Sequence, residues 1–575
     1  MNTTHEWRRR GAPSTLGITL TPGRISIRRA ALPILYGILL SACSGGSGDG
    51  NGSTGTAGAG GNGSGGTASG GRSGTGGGVP GTGGAAAGGI SGAAGVGSGG
   101  SRAGTGGNGT GGTTAVTGGT SGSGGNTSAH GGSGGPGGAG GTRAAGGVSG
   151  SGGDTSDAGV TGGTNGSGTC GGGVAQSSDV TIDESNPQQK ITGFGVSSAW
   201  AGSYANASDP DYLWSTTTGA GLSLLRIRYG DGLAIAQSAA KNGATVWMTP
   251  WGTGTNGAPG GPDTTTQNNP NGCTGSMPVL SNPTGLASNL VTWVQNAKTQ
   301  GVPIYAVSAG NEPDSCGIND TTSYSPAEMA AWIDVLGPAM AAIGVKVMAP
   351  ETENACGFGN FFPAIHNDTA AWNAVSIFAS HEYGCGTLPS EPSISAADKE
   401  YWETEVDTGT ASGDPTGDGI ASALLMAQTI HNDLTKANLN AWHLWWLYEG
   451  GQSGGCLYDT GSKVWTKRLW VMGNFSRFAR PGWKRVASSG STPSGVLVSA
   501  YMNPANNALS IVAINSNTSS KDVSFYVSGS APCALVPYET SASKNLGQGS
   551  AVSVSQSRVT VTLTAQSVTT FVGTP

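Results

Sequence analysis

The sequence predicts an α/β fold: a (β/α)8 barrel carrying a side β-sandwich formed by the C-terminal region plus an N-terminal strand. Three observations carry this. From Gln189 to Leu447, eight short apolar runs alternate with helical or loop stretches. Together they occupy roughly 255 residues, close to the usual size of such a barrel. Beyond Arg477 the texture changes to alternating apolar and polar residues with turns between, as expected of an antiparallel domain with one face buried.

The eight strand candidates are ITGFGV (191–196), LSLLRIR (222–228), ATVWMTP (244–250), IYAVSAG (304–310), VKVMAP (345–350), VSIFAS (375–380), EYWETE (400–405) and AWHLWWL (441–447). Near-continuous apolar strands separated by helices argue for a parallel sheet covered on both faces. Ser325-Pro326-Ala327-Glu328 is a capping box with proline at the first helical position, opening a helix towards Ile343. Residues 290–299 and 420–436 carry helical apolar spacing. A doubly wound open sheet is the rival, but no Gly-x-Gly-x-x-Gly turn follows the first strand. The segment VTIDESNPQQKI before the barrel could add a strand to the C-terminal domain.

Ahead of the fold lie two other textures. Arginines at 8–10, 24, 28 and 29 precede an apolar run from Ala30 to Leu40. That is a signal-peptide pattern, too short for a spanning helix. Residues 40–43, Leu-Ser-Ala-Cys, resemble a bacterial lipobox, which implies lipidation at Cys43. From Ser44 the chain is almost only Gly, Ser, Thr, Ala and Asn, taking most of the 106 glycines. Such a tract cannot bury enough apolar surface to offset its conformational entropy, so disorder is expected. As a coil of ~130 residues it would span roughly 60 Å, which suits a tether. The expected division is a lipoprotein signal at 1–43, a linker at 44–175, the barrel at 188–475, and a side domain from 176–187 and 476–575. The localisation expected is export, with lipid anchoring at the cell envelope or secretion.

Net charge is −6 and 10% of residues are charged. The folded part has no run of Lys and Arg, which argues against a nucleic-acid partner. A membrane partner is expected only through the lipid anchor, and the folded part is expected to be a monomer. Eight cysteines include Cys43. In an exported chain the other seven read as disulfides with one left over, and no Cys/His spacing suggests zinc. Neither a metal nor a cofactor is expected. Cys273 with Cys316, and Cys356 with Cys385, would each join loops following consecutive strands.

Catalytic groups of such barrels sit at the C-terminal ends of strands. The run YAVSAGNEPD (305–314) ends its apolar stretch in Glu312-Pro313, and proline cannot continue a central ladder. Glu351 and Glu353, Glu382, and Glu405 follow later strands. About three βα units of roughly 31 residues separate Glu312 from Glu405, which places them across the barrel mouth. Facing carboxylates, one protonated and one ionised, are what glycoside hydrolysis requires. Glu403 shares the parity of Glu405 and is expected to point inward one layer deeper, as a structural partner of Arg226 or Arg228. Trp200, Trp251, Trp445 and Trp446 lie near strand ends with Tyr383, and flat aromatic faces suit sugar rings.

These motifs, IYAVSAGNEPD, WETE before Val406, ASHEYG (379–384) and FSRFARPGWKRV (475–486), together resemble glycoside hydrolase family 30. ITGFGVSSAW and LRIRYGDG resemble its first two strands, so the resemblance covers the chain from about Gln188 onward. It implies a retaining mechanism with Glu312 as acid/base and Glu405 as nucleophile. Asn311 would bond the sugar hydroxyl beside the reacting carbon. His381 and Tyr383 would orient the nucleophile or line its pocket, and Trp445 would floor the reacting subsite. Trp251 and Trp200 would add substrate contacts.

The sequence departs from the family pattern at two places. PWGTGTNGAPGG (250–261) retains Trp251 but lacks a second tryptophan. The eighth strand continues through Trp445-Trp446-Leu447-Tyr448-Glu449, where glucuronoxylan-specific members carry two arginines. An acid there would repel a glucuronate. The expected activity is a retaining endo-β-1,4-xylanase acting on a xylan-type polysaccharide without glucuronate dependence. The alternatives are a β-1,6-glycanase or glucosylceramidase-type glycosidase of the family, or a non-catalytic polysaccharide-binding surface lipoprotein.

Overall fold

The computed structural model describes residues 170–317, 321–450 and 454–574. The signal segment, Cys43 and nearly all of the glycine-rich tract lie outside the described residues.

Eight parallel strands close into a barrel: β1 (Gly193–Ser197), β2 (Leu224–Arg228), β3 (Thr245–Thr249), β4 (Ile304–Ser308), β5 (Lys346–Thr352), β6 (Val375–Ser380), β7 (Glu400–Glu403) and β8 (Ala441–Glu449). Closure comes from Trp402 pairing with Ala441, and Ala441 with Gly193. All eight fall where the apolar runs place them. Leu224, Trp247, Ala306, Met348, Ile377, Trp402 and Ala441 fill the lumen, so the barrel is packed rather than hollow.

The helix Pro326–Ala341 shows how local signals reach the site. Ser325 and Glu328 form the expected capping box, with Ser325 N donating to Glu328 Oε2 at 2.7 Å. Met329, Ile333, Leu336 and Met340 recur at helical spacing and are buried in the layer between helices and barrel. On the same helix, Trp332 Nε1 donates to Ala309 O at 2.8 Å. That bond holds the chain three residues before Glu312.

Two elements depart from expectation. The helix before β4 starts at Pro283, capped by Asn282, whose side chain accepts from Gly285 N. Asn-Pro is a start signal that the apolar spacing, beginning at Leu290, does not register. A hairpin of Thr264–Asn268 and Ser276–Leu280 interrupts the loop after β3. Its first strand is polar throughout, which leaves no alternation to read.

The segment Asp179–Lys190 forms a strand inside the C-terminal sheet. It runs antiparallel to Lys484–Gly490 and parallel to Lys521–Ser528. That sheet curls around its own core of Ile182, Val486, Ile511, Phe525 and Phe571. In strand Leu509–Asn515 the alternate residues Val512 and Ile514 belong instead to the barrel-side core. The sheet is thus buried on both faces where it meets the helices Ile420–Asn432 and Lys467–Ser476. Cys170 pairs with Cys533, so the glycine-rich segment expected to run to residue 175 is already pinned at 170. The two expected disulfides, Cys273–Cys316 and Cys356–Cys385, are present, and the leftover thiol is the buried Cys456.

Candidate active site

Glu312 follows β4 by four residues, with its amide donating to Glu351 O at 2.9 Å, and the residue is 9% exposed. Glu405 lies two residues past β7 and is 4% exposed. One carboxylate oxygen of each and a ring nitrogen of His381 lie within 4.8 Å of one another. The chain ends of β4, β6 and β7 thus converge on a single point. Glu312, Glu351 and Trp200 all hold positive φ, at 42°, 58° and 61°. Non-glycine residues adopt that conformation at a cost, and such strain clusters at functional sites.

Arg226 on β2 organises the pair. It is fully buried and bonds Glu405 Oε2 through Nη1. Its Nη2 reaches Asn311 Oδ1 at 2.6 Å and Glu351 Oε1 at 2.7 Å, and its Nε reaches Thr249 Oγ1 at 3.2 Å. Burial opposes its charge, but Glu351 and then Glu405 outweigh that and stabilise the guanidinium. Tyr383 OH donates to the other oxygen of Glu405 at 2.9 Å. Both Glu405 oxygens therefore accept hydrogen bonds, which fixes the plane of the carboxylate.

His381 sits under Glu312. Its Nδ1 lies 3.0 Å from Glu312 Oε1, and its Nε2 lies 3.3 Å from Glu351 Oε1 and 3.7 Å from Glu405 Oε2. Burial disfavours the imidazolium, yet the Glu405 charge and the bonds to Glu312 and Glu351 push it up to about 10. Burial raises the Glu312 carboxyl to about 7, because the neighbouring His381 offsets only part of the desolvation. Glu351 is also desolvated, but Arg226 holds it below the ordinary glutamate range. One carboxyl is therefore held up towards neutrality, beside another bound by a cation and a phenol. That is the division of roles an acid and a nucleophile need.

Glu312, His381 and Glu405 are close enough to share a cation. Their donor atoms are already engaged with one another, with Arg226 and with Tyr383, so the set is complete as an acid–base system without one.

The aromatic residues meet at the mouth. Trp200 is 49% exposed, and its ring lies edge-on to Trp251, Trp445 and Trp446, with centroids 5.5, 5.9 and 5.8 Å away. The Arg226 guanidinium lies 4.5 Å from the Trp251 ring centre. Trp251 is 3% exposed, so it supports the site from beneath while Trp200 and Trp445 offer more open faces.

The structure corrects the reading of Glu403. Trp402, not Glu403, fills the lumen, because regular pairing ends at Glu403 and parity no longer carries to Glu405. Glu403 Oε2 accepts from the amide of His443 at 2.9 Å and makes no ion pair with Arg226 or Arg228. Arg226 and Glu351 were the functional residues that position along the chain undervalued. The available signal was a pair of arginines in a strand buried on both faces, which demands acidic partners.

A search of protein-family models finds no match for the chain. Relatives do match. A Bacillus subtilis (strain 168) protein named Glucuronoxylanase XynC is 30% identical over 417 residues, covering 69% of this chain and 92% of the relative. The solved GH30 endoxylanase from Clostridium papyrosolvens C71 is 30% identical with a TM-score of 0.59, covering 69% of this chain and all of that one. The family 30 subfamily 8 xylanase Xyn30A of Clostridium acetobutylicum is 29% identical with a TM-score of 0.60 over the same shares. A solved endo-β-1,6-glucanase, at 19% identity and a TM-score of 0.52, shares the fold. With its barrel, side domain and converging carboxylates, the chain is a glycosidase and belongs to glycoside hydrolase family 30.

Proposed function

We propose that the chain is an endo-β-1,4-xylanase that acts with retention, using Glu405 as nucleophile and Glu312 as acid/base, and that it does not require glucuronate on its substrate. The observation that supports retention is that one oxygen of each carboxylate lies within 4.8 Å of one oxygen of the other. Retaining pairs sit about 5–5.5 Å apart, and inverting pairs ~6.5–9.5 Å apart to admit a water. In the first step Glu405 forms an ester bond to the anomeric carbon while the glycosidic C–O bond breaks. Glu312 gives its proton to the leaving oxygen. In the second step the Glu312 carboxylate takes a proton from water, whose oxygen replaces Glu405 at the same carbon. Arg226 and Tyr383 aim Glu405, Asn311 stands beside the reacting sugar, and Trp445 and Trp200 offer ring faces.

Xylan is supported by the names of relatives at 29–30% identity. Glucuronate independence is supported by the end of β8. Tyr448 OH is tied to Asp209 Oδ2 at 2.5 Å, and Glu449 follows it. Arg468 is fully buried, donating to Gly417 O at 2.5 Å and Gly409 O at 2.7 Å. It could not turn to a substrate without abandoning both carbonyls.

The test is a panel of linear xylan, arabinoxylan and glucuronoxylan, with NMR of the first-formed anomer. Retention and comparable rates on all three are expected. Glu405→Ala should be inactive and regain turnover with azide, releasing an α-glycosyl azide. A β-azide would reverse the two roles, and strict preference for glucuronoxylan would remove the specificity reading. Glu312→Gln and Glu405→Gln should retain binding and lose turnover, whereas a pure binding protein would show no turnover in any form. We extend the proposal to Cys43 as a lipid anchor with the glycine-rich tract as tether. Release of a Cys43→Ala protein from the membrane fraction would support it, and unchanged fractionation would count against it.

A further inference from the structure

The helix Ile420–Asn432 runs back from the catalytic face, so its last turn and the following Asp433–Ala437 turn lie at the opposite end of the barrel. There they meet the side domain, and a cavity of about 260 Å³ opens, lined by His431, Thr435, Arg485, Ser488, Thr492 and Val498. Among the described residues no carboxylate lines it.

Arg485 is 7% exposed. Its Nε donates to Gln189 Oε1 at 2.9 Å and its Nη2 to Asn438 Oδ1 at 2.7 Å. Both partners are neutral amides, and among the described residues Arg485 forms no ion pair. The buried Arg226 and the half-buried Arg558 each have a carboxylate. His431, 8% exposed, has an Nδ1 with no hydrogen-bond partner. Burial, with the charges of Lys436 and Arg485, holds its imidazole down to about 4, so the local field is positive. A buried cation without a counter-charge is costly, and an anion that enters would remove that cost.

We infer that this cavity binds an oxyanion, either the carboxylate of a uronic acid sugar or free phosphate. The guanidinium has N–H donors beyond the two it uses on the amides. His431 would take up a proton as the anion arrives, since a nearby negative charge favours the imidazolium. The volume admits one sugar ring or one tetrahedral ion.

The experiment titrates the full chain with sodium glucuronate, with inorganic phosphate and with glucose, by calorimetry and by NMR of the histidine ring protons. Saturable binding of at least one anion and none of glucose is expected, together with an upward shift in the His431 titration. Arg485→Gln should weaken binding at least about tenfold, since it removes a charge-assisted contact. Lys436→Glu, an exposed substitution that should leave the fold intact, should weaken it about threefold by charge reversal near the cavity. Glucuronate displacing phosphate assigns the site to an acidic sugar, and the reverse assigns it to the free ion. No saturable binding of either anion, or binding that leaves the His431 titration unmoved, would overturn the inference.

Discussion

Glu312 shows how one residue's environment sets its chemistry. Its carboxyl is raised to about 7 by burial against the partial offset of His381. In the proposed mechanism the protonated form is the one that assists the leaving group. Hydrolysis of xylan should therefore fall as pH rises through about 7, and the pH profile of kcat/KM measures this. An aryl xylo-oligoside with a good leaving group needs no such proton. Glu312→Gln should still form the glycosyl-enzyme from it, without the basic limb. A basic limb persisting in that variant would assign it to another group.

Glu403 makes the corresponding case for stability. Burial raises it well above the ordinary glutamate range, and the backbone hydrogen bonds it accepts, led by that from the His443 amide, do not compensate. The folded state keeps this proton at pH values where the unfolded chain has lost it. Its contribution is therefore fully present below the unfolded value of 4.5 and declines as pH rises above it. The slope for one proton is about 1.4 kcal/mol per pH unit. Glu403→Gln should flatten that decline, as read from urea unfolding at pH 5 and pH 8, and an unchanged slope would show that Glu403 is ionised in the fold.

At the scale of elements, the loops after β3 and β4 act together. The hairpin tip bonds the segment after Glu312 through Asn271 Nδ2, which donates to Pro313 O and Tyr324 O at 2.9 Å each. Cys273–Cys316 links the same two loops across a separation of 43 residues. Loop closure of that length contributes roughly 4 kcal/mol at most. Cys316→Ser should lower the unfolding free energy by a few kcal/mol. It should also reduce kcat more than it raises KM, because the loop it frees carries Glu312, the proposed acid. Equal loss of stability with kcat unchanged would show that Asn271 and Trp332 suffice to hold Glu312. The elements themselves were legible where their signals are local. Apolar runs marked all eight strands, and the capping box marked the helix at Pro326. The hairpin was not legible, because its first strand, Thr264–Asn268, is polar and largely exposed and carries no periodicity to detect.

The whole molecule depends on a strand drawn from the front of the fold. Asp179–Lys190 lies between Lys484–Gly490 and Lys521–Ser528, so its removal would leave two long edges unpaired. Open edges invite pairing with other chains. A chain lacking residues 179–190 should lose solubility and cooperative unfolding, measured by sedimentation and calorimetry, even though no catalytic residue has been touched. A soluble, active deletion would show that the barrel holds the side sheet without this strand.

The sequence by itself determined the barrel, the side domain and the positions of Glu312 and Glu405, because each rests on a signal within a few residues. An apolar run that stops at Asn-Glu-Pro marks a strand end wherever the rest of the chain goes. Only the tertiary structure decided what those carboxylates touch. Arg226, Asn311, Glu351, His381 and Glu405 come from five different strands or strand ends, and they meet only when the barrel closes. The raised carboxyl of Glu312 and the raised imidazole of His381 follow from burial and from charges brought together by that closure, which no local pattern of residues encodes. The face taken by Glu403 was likewise settled by where β7 stops pairing, a property of its neighbours β6 and β8 rather than of its own alternation.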